Sequence, residues 1–234
     1  MLSSTHNFIF IHRGKSAGNS ISQALLPYVD DEILLDYKYQ DGLNTFNTRN
    51  TRYGLRKHAG LLEYKQALPP DFYAQAFKFS LIRNPFERLI SVYYSPNRVA
   101  LDNIDLNSFD RQDFLRIVRE ERTFREYVCT DDRSGLLDEI DFVVRYEFLQ
   151  YDFKSLCEKL GLPNISLGRY NVSHRKRDYR AYYDQTLIDA VSERFHEEIE
   201  TFGYTFKSTN LTRKSWNVSW LRRPKPATKV TKKV

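Results

Sequence analysis

Three segments of the chain have the pattern of strands buried in a sheet. Residues 8–11 form a short continuous apolar run, while residues 77–82 and the segment that starts at Ile140 have a strand-like composition, rich in aromatic and aliphatic residues. A continuous apolar run is typical of a strand that is covered on both faces, as in a parallel sheet. The sequence therefore predicts a buried sheet that contains these three segments.

A helical pattern follows the first of these strands. Apolar residues recur at helical spacing through residues 21–28, and Asn19 or Ser20 is placed to cap the helix. A short loop that contains Gly14 and Gly18 joins the strand to this helix.

The second strand leads into its helix through the sequence LIRNPFERLISVYYS. Asn84 is the predicted N-cap, Pro85 the first helical residue and Glu87 the acid of a capping box. Two strand-to-helix turns of this kind predict an α/β fold, with helices packed on the faces of the sheet.

The rest of the chain is predicted to be mostly helical. Residues 30–55 are mixed and polar and are expected to be irregular. Helices are predicted over residues 58–68, through much of residues 96–128, in a segment that ends at Gly161, and over residues 188–202 before Gly203. The Lys/Pro/Thr-rich C-terminus lacks apolar periodicity, so we expect one domain over residues 1–207 and a basic, flexible tail over residues 208–234.

The excess of positive charge lies in the tail. Residues 221–234 hold six of the 36 basic residues and none of the 30 acidic ones, so the remaining charges balance. A balanced domain lacks the basic surface expected of a nucleic-acid-binding protein. No apolar run reaches the length of a membrane span, and Cys129 and Cys157 stand apart without zinc-ligand spacing. We therefore expect no nucleic-acid partner, no membrane span, no metal and a cytoplasmic location.

The loop after the first strand, with the sequence HRGKSAGNS, has the composition of an anion site. Lys15 lies between two glycines at the start of a helix, where backbone N–H groups and the helix dipole favour a negative ligand. This arrangement predicts a bound phosphate group. The alternative is an ordinary glycine-containing turn with a surface lysine, and a short motif alone does not separate the two.

The order of residues in this loop differs from the nucleotide loop G-x-x-x-x-G-K-[ST]. Lys15 precedes the second glycine, and no strand-ending aspartate is in place to hold magnesium, so a kinase is the weaker phosphate hypothesis. The loop resembles the 5′-phosphosulfate loop, often H-x-P-K-T-A-G-T-S, of carbohydrate-type sulfotransferases that use 3′-phosphoadenosine 5′-phosphosulfate (PAPS). This resemblance implies that the donor nucleotide is bound by Gly14, Lys15, Ser16, Ala17, Gly18, Asn19 and Ser20.

The segment LIRNPFERLISVYYS resembles the 3′-phosphate motif of the same family. In that motif an arginine at the end of a strand and a serine eight residues later bind the 3′-phosphate, and these correspond to Arg83 and Ser91. A guanidinium fork suits the role because it binds phosphate bidentately. Without the resemblance, a surface ion pair for Arg83 and a helix-internal hydrogen bond for Ser91 explain the two residues equally well.

Residues 141–206 are similar to the C-terminal third of that family, so the resemblance runs from about residue 8 to residue 206. It implies a P-loop-like parallel sheet flanked by helices on both faces. It also implies that Ser173 and Arg175 lie on a loop that closes over the nucleotide, whereas Arg145 and Glu147 are expected to brace the sheet. The alternative for the segment SHRKRDYR is a solvated charged loop.

Two positions of the first loop depart from the family pattern. Arg13-Gly14 replaces the commoner pair before the lysine, and Asn19 replaces a threonine. We therefore expect a loop that is more flexible or that reaches its ligand differently.

Sulfuryl transfer needs two further groups. The acceptor must lose its proton as it attacks sulfur, and the leaving 5′-phosphate must be stabilised as its charge builds. Lys15 suits the second task. Similar sulfotransferases carry a histidine in a K-H-A-type segment at the place of RKHAGLLEY, which implies that His58 is the general base. Glu63 is the nearby alternative.

The sequence thus indicates a PAPS-dependent sulfotransferase that acts, without a metal, on a hydroxyl or amine of a carbohydrate or small-molecule acceptor. Residues 36–53 and 96–113 are expected to set its specificity. Two other functions stay open at this point: a P-loop-like kinase that uses ATP, and a non-catalytic nucleotide-binding protein of the same fold.

Overall fold

The computed structural model describes residues 1–34, 47–95, 108–168 and 178–207. The strands in these residues are β1 (Leu2–Ser3), β2 (Phe8–Ile11), β3 (Glu32–Leu34), β4 (Asn47–Asn50), β5 (Leu55–Arg56), β6 (Phe77–Ile82) and β7 (Phe142–Arg145). The α-helices are α1 (Gly18–Leu25), α2 (Leu61–Ala67), α3 (Pro70–Gln75), α4 (Pro85–Tyr93), α5 (Arg111–Glu120), α6 (Arg125–Val128), α7 (Leu149–Leu160), α8 (Gln185–Arg194) and α9 (His196–Phe202).

The central sheet has the strand order β1-β2-β6-β7. The strands β2, β6 and β7 are parallel, and the two-residue β1 adds an antiparallel edge. The register places Phe8 opposite Phe77 and Phe79 opposite Phe142. All three predicted strands are therefore confirmed, and they form the parallel part of the sheet.

Side chains of the central strands alternate between two cores. Phe8 and Phe10 pack on one face, in a cluster that includes apolar residues of α1 and α7. Ile9 and Ile11 pack on the other face, in a cluster that includes residues of α2, α6 and α9. Because side chains along a strand alternate between its faces, both faces of this sheet must be covered. The predicted α/β fold with helices on both faces is confirmed.

A second, smaller sheet occupies the region that was expected to be irregular. Strands β3, β4 and β5 form an antiparallel sheet in which Thr48 and Asn50 are buried. The expectation was wrong because these strands are two to four residues long and place polar side chains inside. Strands of that kind give no apolar alternation for a sequence pattern to reveal.

The C-terminal helical region is divided at Phe195. One helix was predicted over residues 188–202, but α8 ends at Arg194 and α9 begins at His196. The predicted ends at Gly161 and Gly203 are confirmed, and both glycines have the left-handed backbone that closes helices. In the part of the chain that the structure describes, no helix has both the length and the hydrophobicity to cross a membrane. The predicted tail, residues 208–234, lies outside that part.

Candidate functional site

The first loop, which we define as residues 12–18 between β2 and α1, meets the turn after β6 at one edge of the sheet. Parallel strands present their carboxyl ends at the same edge, and ligands of α/β proteins bind there. The Ser80 hydroxyl donates to the carbonyl of Ile11 over 2.9 Å, which ties the two strand ends together. Arg83 Nη1 donates to the carbonyl of Lys15 over 3.0 Å. The structure thus brings Lys15 and Arg83 into one site.

The backbone of the first loop is unusual at two positions. Lys15 has φ 62° and Ala17 has φ 69°, in the left-handed region that residues other than glycine seldom adopt. Ala17 is the N-cap of α1, and no side chain caps this helix. The prediction that Asn19 or Ser20 caps it was wrong, because both residues lie inside the first turn. By contrast, side chains cap α4, α5 and α8.

The two glycines of the first loop, Gly14 and Gly18, differ in the space around them. A Cβ atom at Gly18 would lie 2.0 Å from His12 Nε2, so only glycine fits under this ring. A Cβ atom at Gly14 would have an ordinary contact of 3.9 Å with His58. Ser16 is fully buried, and its hydroxyl has no hydrogen-bond partner among the described residues. A buried unpaired hydroxyl beside an uncapped helix start suits an anionic ligand such as a phosphate.

His12 is a buried and neutral member of the site. Its ring is 2% exposed, and its Nδ1 lies 3.2 Å from the hydroxyl of Ser22. Burial holds the pKa of His12 well below its usual value of 6.5, and the nearby His58 and Lys57 lower this pKa further. The imidazole therefore carries no charge at neutral pH.

His58 is fixed by the same segment. Its Nδ1 lies 2.9 Å from the backbone carbonyl of His12, and the two imidazole rings are 4.7 Å apart in an edge-on arrangement. A carbonyl can only accept, so neutral His58 carries its proton on Nδ1 and presents Nε2 as the basic atom. In this tautomer Nε2 is unprotonated and can accept a proton. Glu63, the alternative, accepts a hydrogen bond of 2.7 Å from the backbone N–H of Gly60 and so caps α2.

Arg83 is almost fully buried at the end of β6. Its Nη2 donates to Glu87 over 2.7 Å, and its guanidinium lies 3.9 Å from the centre of the Tyr146 ring. The Nε atom of Arg83 is buried, and in the part of the chain that the structure describes it has no hydrogen-bond partner. Ser91, the other predicted 3′-phosphate residue, is buried two turns further along α4.

The start of α4 was predicted in part. The Asn84 side chain accepts from the N–H of Phe86 over 3.1 Å, so the predicted N-cap is confirmed. The prediction of a capping box was wrong, because the N–H of Asn84 donates to Glu147 and not to Glu87. Glu87 is engaged by Arg83 four residues earlier, which is the spacing of a helical ion pair.

The residues expected to brace the sheet do so. Arg145, at the end of β7, forms a bidentate pair with Asp152 of α7 over 2.6 and 2.7 Å. Glu147 accepts from the N–H of Asn84 and from the hydroxyl of Tyr204. Ser173 and Arg175 lie outside the described residues, so their role stays a prediction.

Arg13 was not predicted to have a role, although its place in the motif is a departure from the family pattern. Its side chain is completely buried and forms a bidentate ion pair with Glu198 of α9. The first loop is therefore anchored to the domain interior beside Lys15, and the expectation of a more flexible loop does not fit this anchor. The sequence around Arg13 did not predict its burial, because an arginine is usually exposed.

Comparison with known proteins agrees with this geometry. The profile of a family described as "Sulfotransferase family" matches residues 1–205. Searches among curated proteins and among solved structures give no match. Among residues 1–34, 47–95, 108–168 and 178–207, no group of three or more His, Cys, Asp or Glu side chains could hold a metal ion.

Proposed function

The chain belongs to the sulfotransferase family, and we propose that it transfers a sulfuryl group from PAPS to a hydroxyl or amine of a carbohydrate or small-molecule acceptor. One observation carries this proposal. The first loop, with its uncapped helix start, meets Arg83 at the carboxyl edge of the sheet, so two groups that suit anions lie next to each other. A donor nucleotide with phosphates at both its 5′ and 3′ positions fits two such groups.

The donor would be held by two sets of residues. Lys15, the buried hydroxyl of Ser16 and the N–H groups at the start of α1 suit the 5′-phosphosulfate. Gly18, Asn19 and Ser20 belong to that helix start. Arg83 and Ser91 suit the 3′-phosphate, and we carry Ser173 and Arg175 forward as further contacts.

The chain supplies two groups for the chemical step. His58 Nε2 takes the proton of the acceptor hydroxyl or amine as the new bond to sulfur forms. The bond between sulfur and the 5′-phosphate oxygen breaks, and Lys15 stabilises the charge that develops on that oxygen. The hydrogen bond from His58 Nδ1 to the His12 carbonyl keeps the ring oriented and steadies the positive charge that His58 acquires.

The small sheet before His58 offers a basic surface to the acceptor. Arg49, Arg52 and Arg56 are exposed, and none of them forms an ion pair within the described residues. Arg49 stands directly opposite Arg56 on β5 and opposite Glu32 on β3. Like charges in opposite positions destabilise a sheet, Glu32 offsets part of this cost on the other side of Arg49, and a negatively charged acceptor would offset more of it. We therefore propose that acidic acceptors are preferred.

A thermal-shift comparison tests the donor. The reaction product 3′-phosphoadenosine 5′-phosphate, at 100 times its Kd, should stabilise the protein by roughly 2.7 kcal/mol without added metal. For a chain of this size that free energy raises the melting temperature by roughly 5–10 °C. The Lys15→Ala variant should lose most of the shift, whereas Lys154→Ala, on the exposed side of α7, should keep it.

Three other outcomes have definite meanings. A shift only with ATP and magnesium would identify a kinase. A shift with the bisphosphate but no turnover in an acceptor screen with labelled PAPS would identify a non-catalytic nucleotide-binding protein. No shift with either nucleotide would refute the proposal.

A further inference from the structure

Arg13 and Glu198 form an ion pair that is closed off from solvent. Two hydrogen bonds of 2.5 and 2.8 Å join the guanidinium to the carboxylate, and the two side chains are 0% and 2% exposed. The guanidinium also lies 5.6 Å from the centre of the Phe124 ring. The pair links the first loop to α9, a helix 185 residues later in the chain.

A second buried arginine extends this pair into α4. Arg88 is 1% exposed and donates to Glu121 over 2.8 Å. Burial alone would lower the pKa of Arg88, but Glu121 and Glu198 more than offset it, and the net direction is upward. Burial and the like charge of Arg88 lower the pKa of Arg13, and Glu198 opposes this shift. Arg13 with Glu198, and Arg88 with Glu121, thus form a cluster of two ion pairs that influence each other electrostatically.

Such a cluster is a poor way to gain stability. The cost of removing two charges from water often exceeds their attraction, and apolar side chains of similar volume stabilise a core as well or better. What an ion pair with two hydrogen bonds does supply is a fixed direction and distance between the elements it joins. The elements joined by Arg13 and Glu198 are the first loop and α9.

The first loop needs such a support. The left-handed residues Lys15 and Ala17 are strained, and strained backbone persists only where its surroundings determine it. On the ligand side, Arg83 holds the carbonyl of Lys15. On the interior side, Arg13 lies next to His12, whose carbonyl orients His58.

We propose that Arg13 is a positioning residue for sulfuryl transfer: its buried pair with Glu198 fixes the first loop against α9 and so keeps Lys15 and His58 in register. This inference rests on the proposed function. Arg13-Gly14 stands where similar sulfotransferases have a different pair before the lysine. The partner of Arg13, Glu198, lies in α9, near the C-terminal end of the described residues.

The test compares variants that lose the pair with a variant that loses a neighbouring pair. Glu198→Gln leaves the guanidinium of Arg13 without its charged partner, and its melting temperature should fall by roughly 10 °C. The double variant Arg13→Met/Glu198→Leu removes both charges and should recover most of that loss. The control is Arg125→Met/Glu197→Leu, because this partly exposed pair joins α6 to α9 and does not touch the first loop.

Measurements of kcat distinguish a positioning role of the Arg13–Glu198 pair from a contribution to stability alone. Because a misplacement of about 1 Å can cost about 10²-fold in rate, we expect kcat of the double variant to fall about 10- to 100-fold, even where its melting temperature has recovered. Measured well below each melting temperature, the control should keep the wild-type kcat. Wild-type kcat and wild-type nucleotide affinity in any folded variant that lacks the pair would overturn the inference.

A measurement without nucleotide keeps this test distinct from that of the proposed function. Backbone amide exchange of residues 13–18 should be faster in the double variant than in the wild type or the control, because the loop has lost its anchor. Unchanged exchange there would refute the anchoring role, whatever the protein transfers. Faster exchange in a protein that does not bind the bisphosphate would support the anchor and reject the proposed function alone.

Discussion

Arg83→Ala should reduce the preference of the protein for nucleotides that carry a 3′-phosphate. A hydrogen bond to a charged group contributes roughly 1.5–3 kcal/mol, and this is lost only for the ligand that has the phosphate. The preference for 3′-phosphoadenosine 5′-phosphate over adenosine 5′-phosphate should therefore fall by about 10- to 150-fold. Arg83 also holds the carbonyl of Lys15, so both nucleotides should bind somewhat more weakly, but this common loss cancels in the ratio.

Isothermal titration of the two nucleotides gives the ratio directly. Arg116→Ala is a suitable control, because Arg116 is an exposed residue of α5 that pairs with Asp113 and Glu120 of its own helix. A ratio that Arg83→Ala leaves unchanged, with both affinities reduced equally, would show that Arg83 only supports the first loop. Its partnership with Glu87 would then be structural, and the 3′-phosphate would have to be bound elsewhere.

Three further predictions follow from other parts of the chain. His58→Ala should lower turnover of an aliphatic alcohol acceptor by about 10²–10⁴-fold and leave affinity for the bisphosphate within a few-fold, measured by steady-state kinetics and titration; near-normal turnover would shift the role of base to Glu63. Because the pKa of folded His12 lies well below 6.5, the stability it supplies is complete above pH 6.5 and is lost as pH falls toward the folded pKa. Urea unfolding should show a loss of up to about 1.4 kcal/mol between about pH 7.5 and 5.5, absent in His12→Asn, and equal pH slopes in both proteins would contradict this reasoning. Removal of residues 221–234 should leave the melting temperature unchanged, since this segment has no apolar periodicity; unfolding on truncation would show that the domain boundary is wrong.

The strands that position the site could be predicted from the sequence, whereas the partners of its supporting residues could not. β2 and β6 were predicted with their observed bounds because both are apolar, buried and followed by a helix signal. The composition of the first loop then indicated Lys15, and the resemblance added Arg83 and His58 as candidates. Local pattern failed where tertiary contacts decide, as for the cap of α1, where the conventional capping residues Asn19 and Ser20 lie two and three positions after the N-cap, Ala17.

These pairings were missed because each joins two residues that are far apart in the chain. Glu198 lies 185 residues from Arg13. The N–H of Asn84 donates to the distant Glu147, whereas a local capping box would pair this N–H with Glu87. Neither pairing has a sequence signature, since an arginine or glutamate is usually exposed. The small sheet was missed for a different reason, because its strands are short and polar.

The parallel pairing of β2 with β6 has a consequence for how the protein folds. Ile11 pairs with Ser80, 69 residues later, so the edge that carries the first loop exists only after a long chain segment has closed. High contact order of this kind slows folding, because the entropy of closure is lost before the contacts form. We therefore expect the nucleotide site to assemble late, on the native side of the folding barrier. A bound nucleotide should then act chiefly on the unfolding limb of a chevron plot and prolong the life of the native state without hastening its formation.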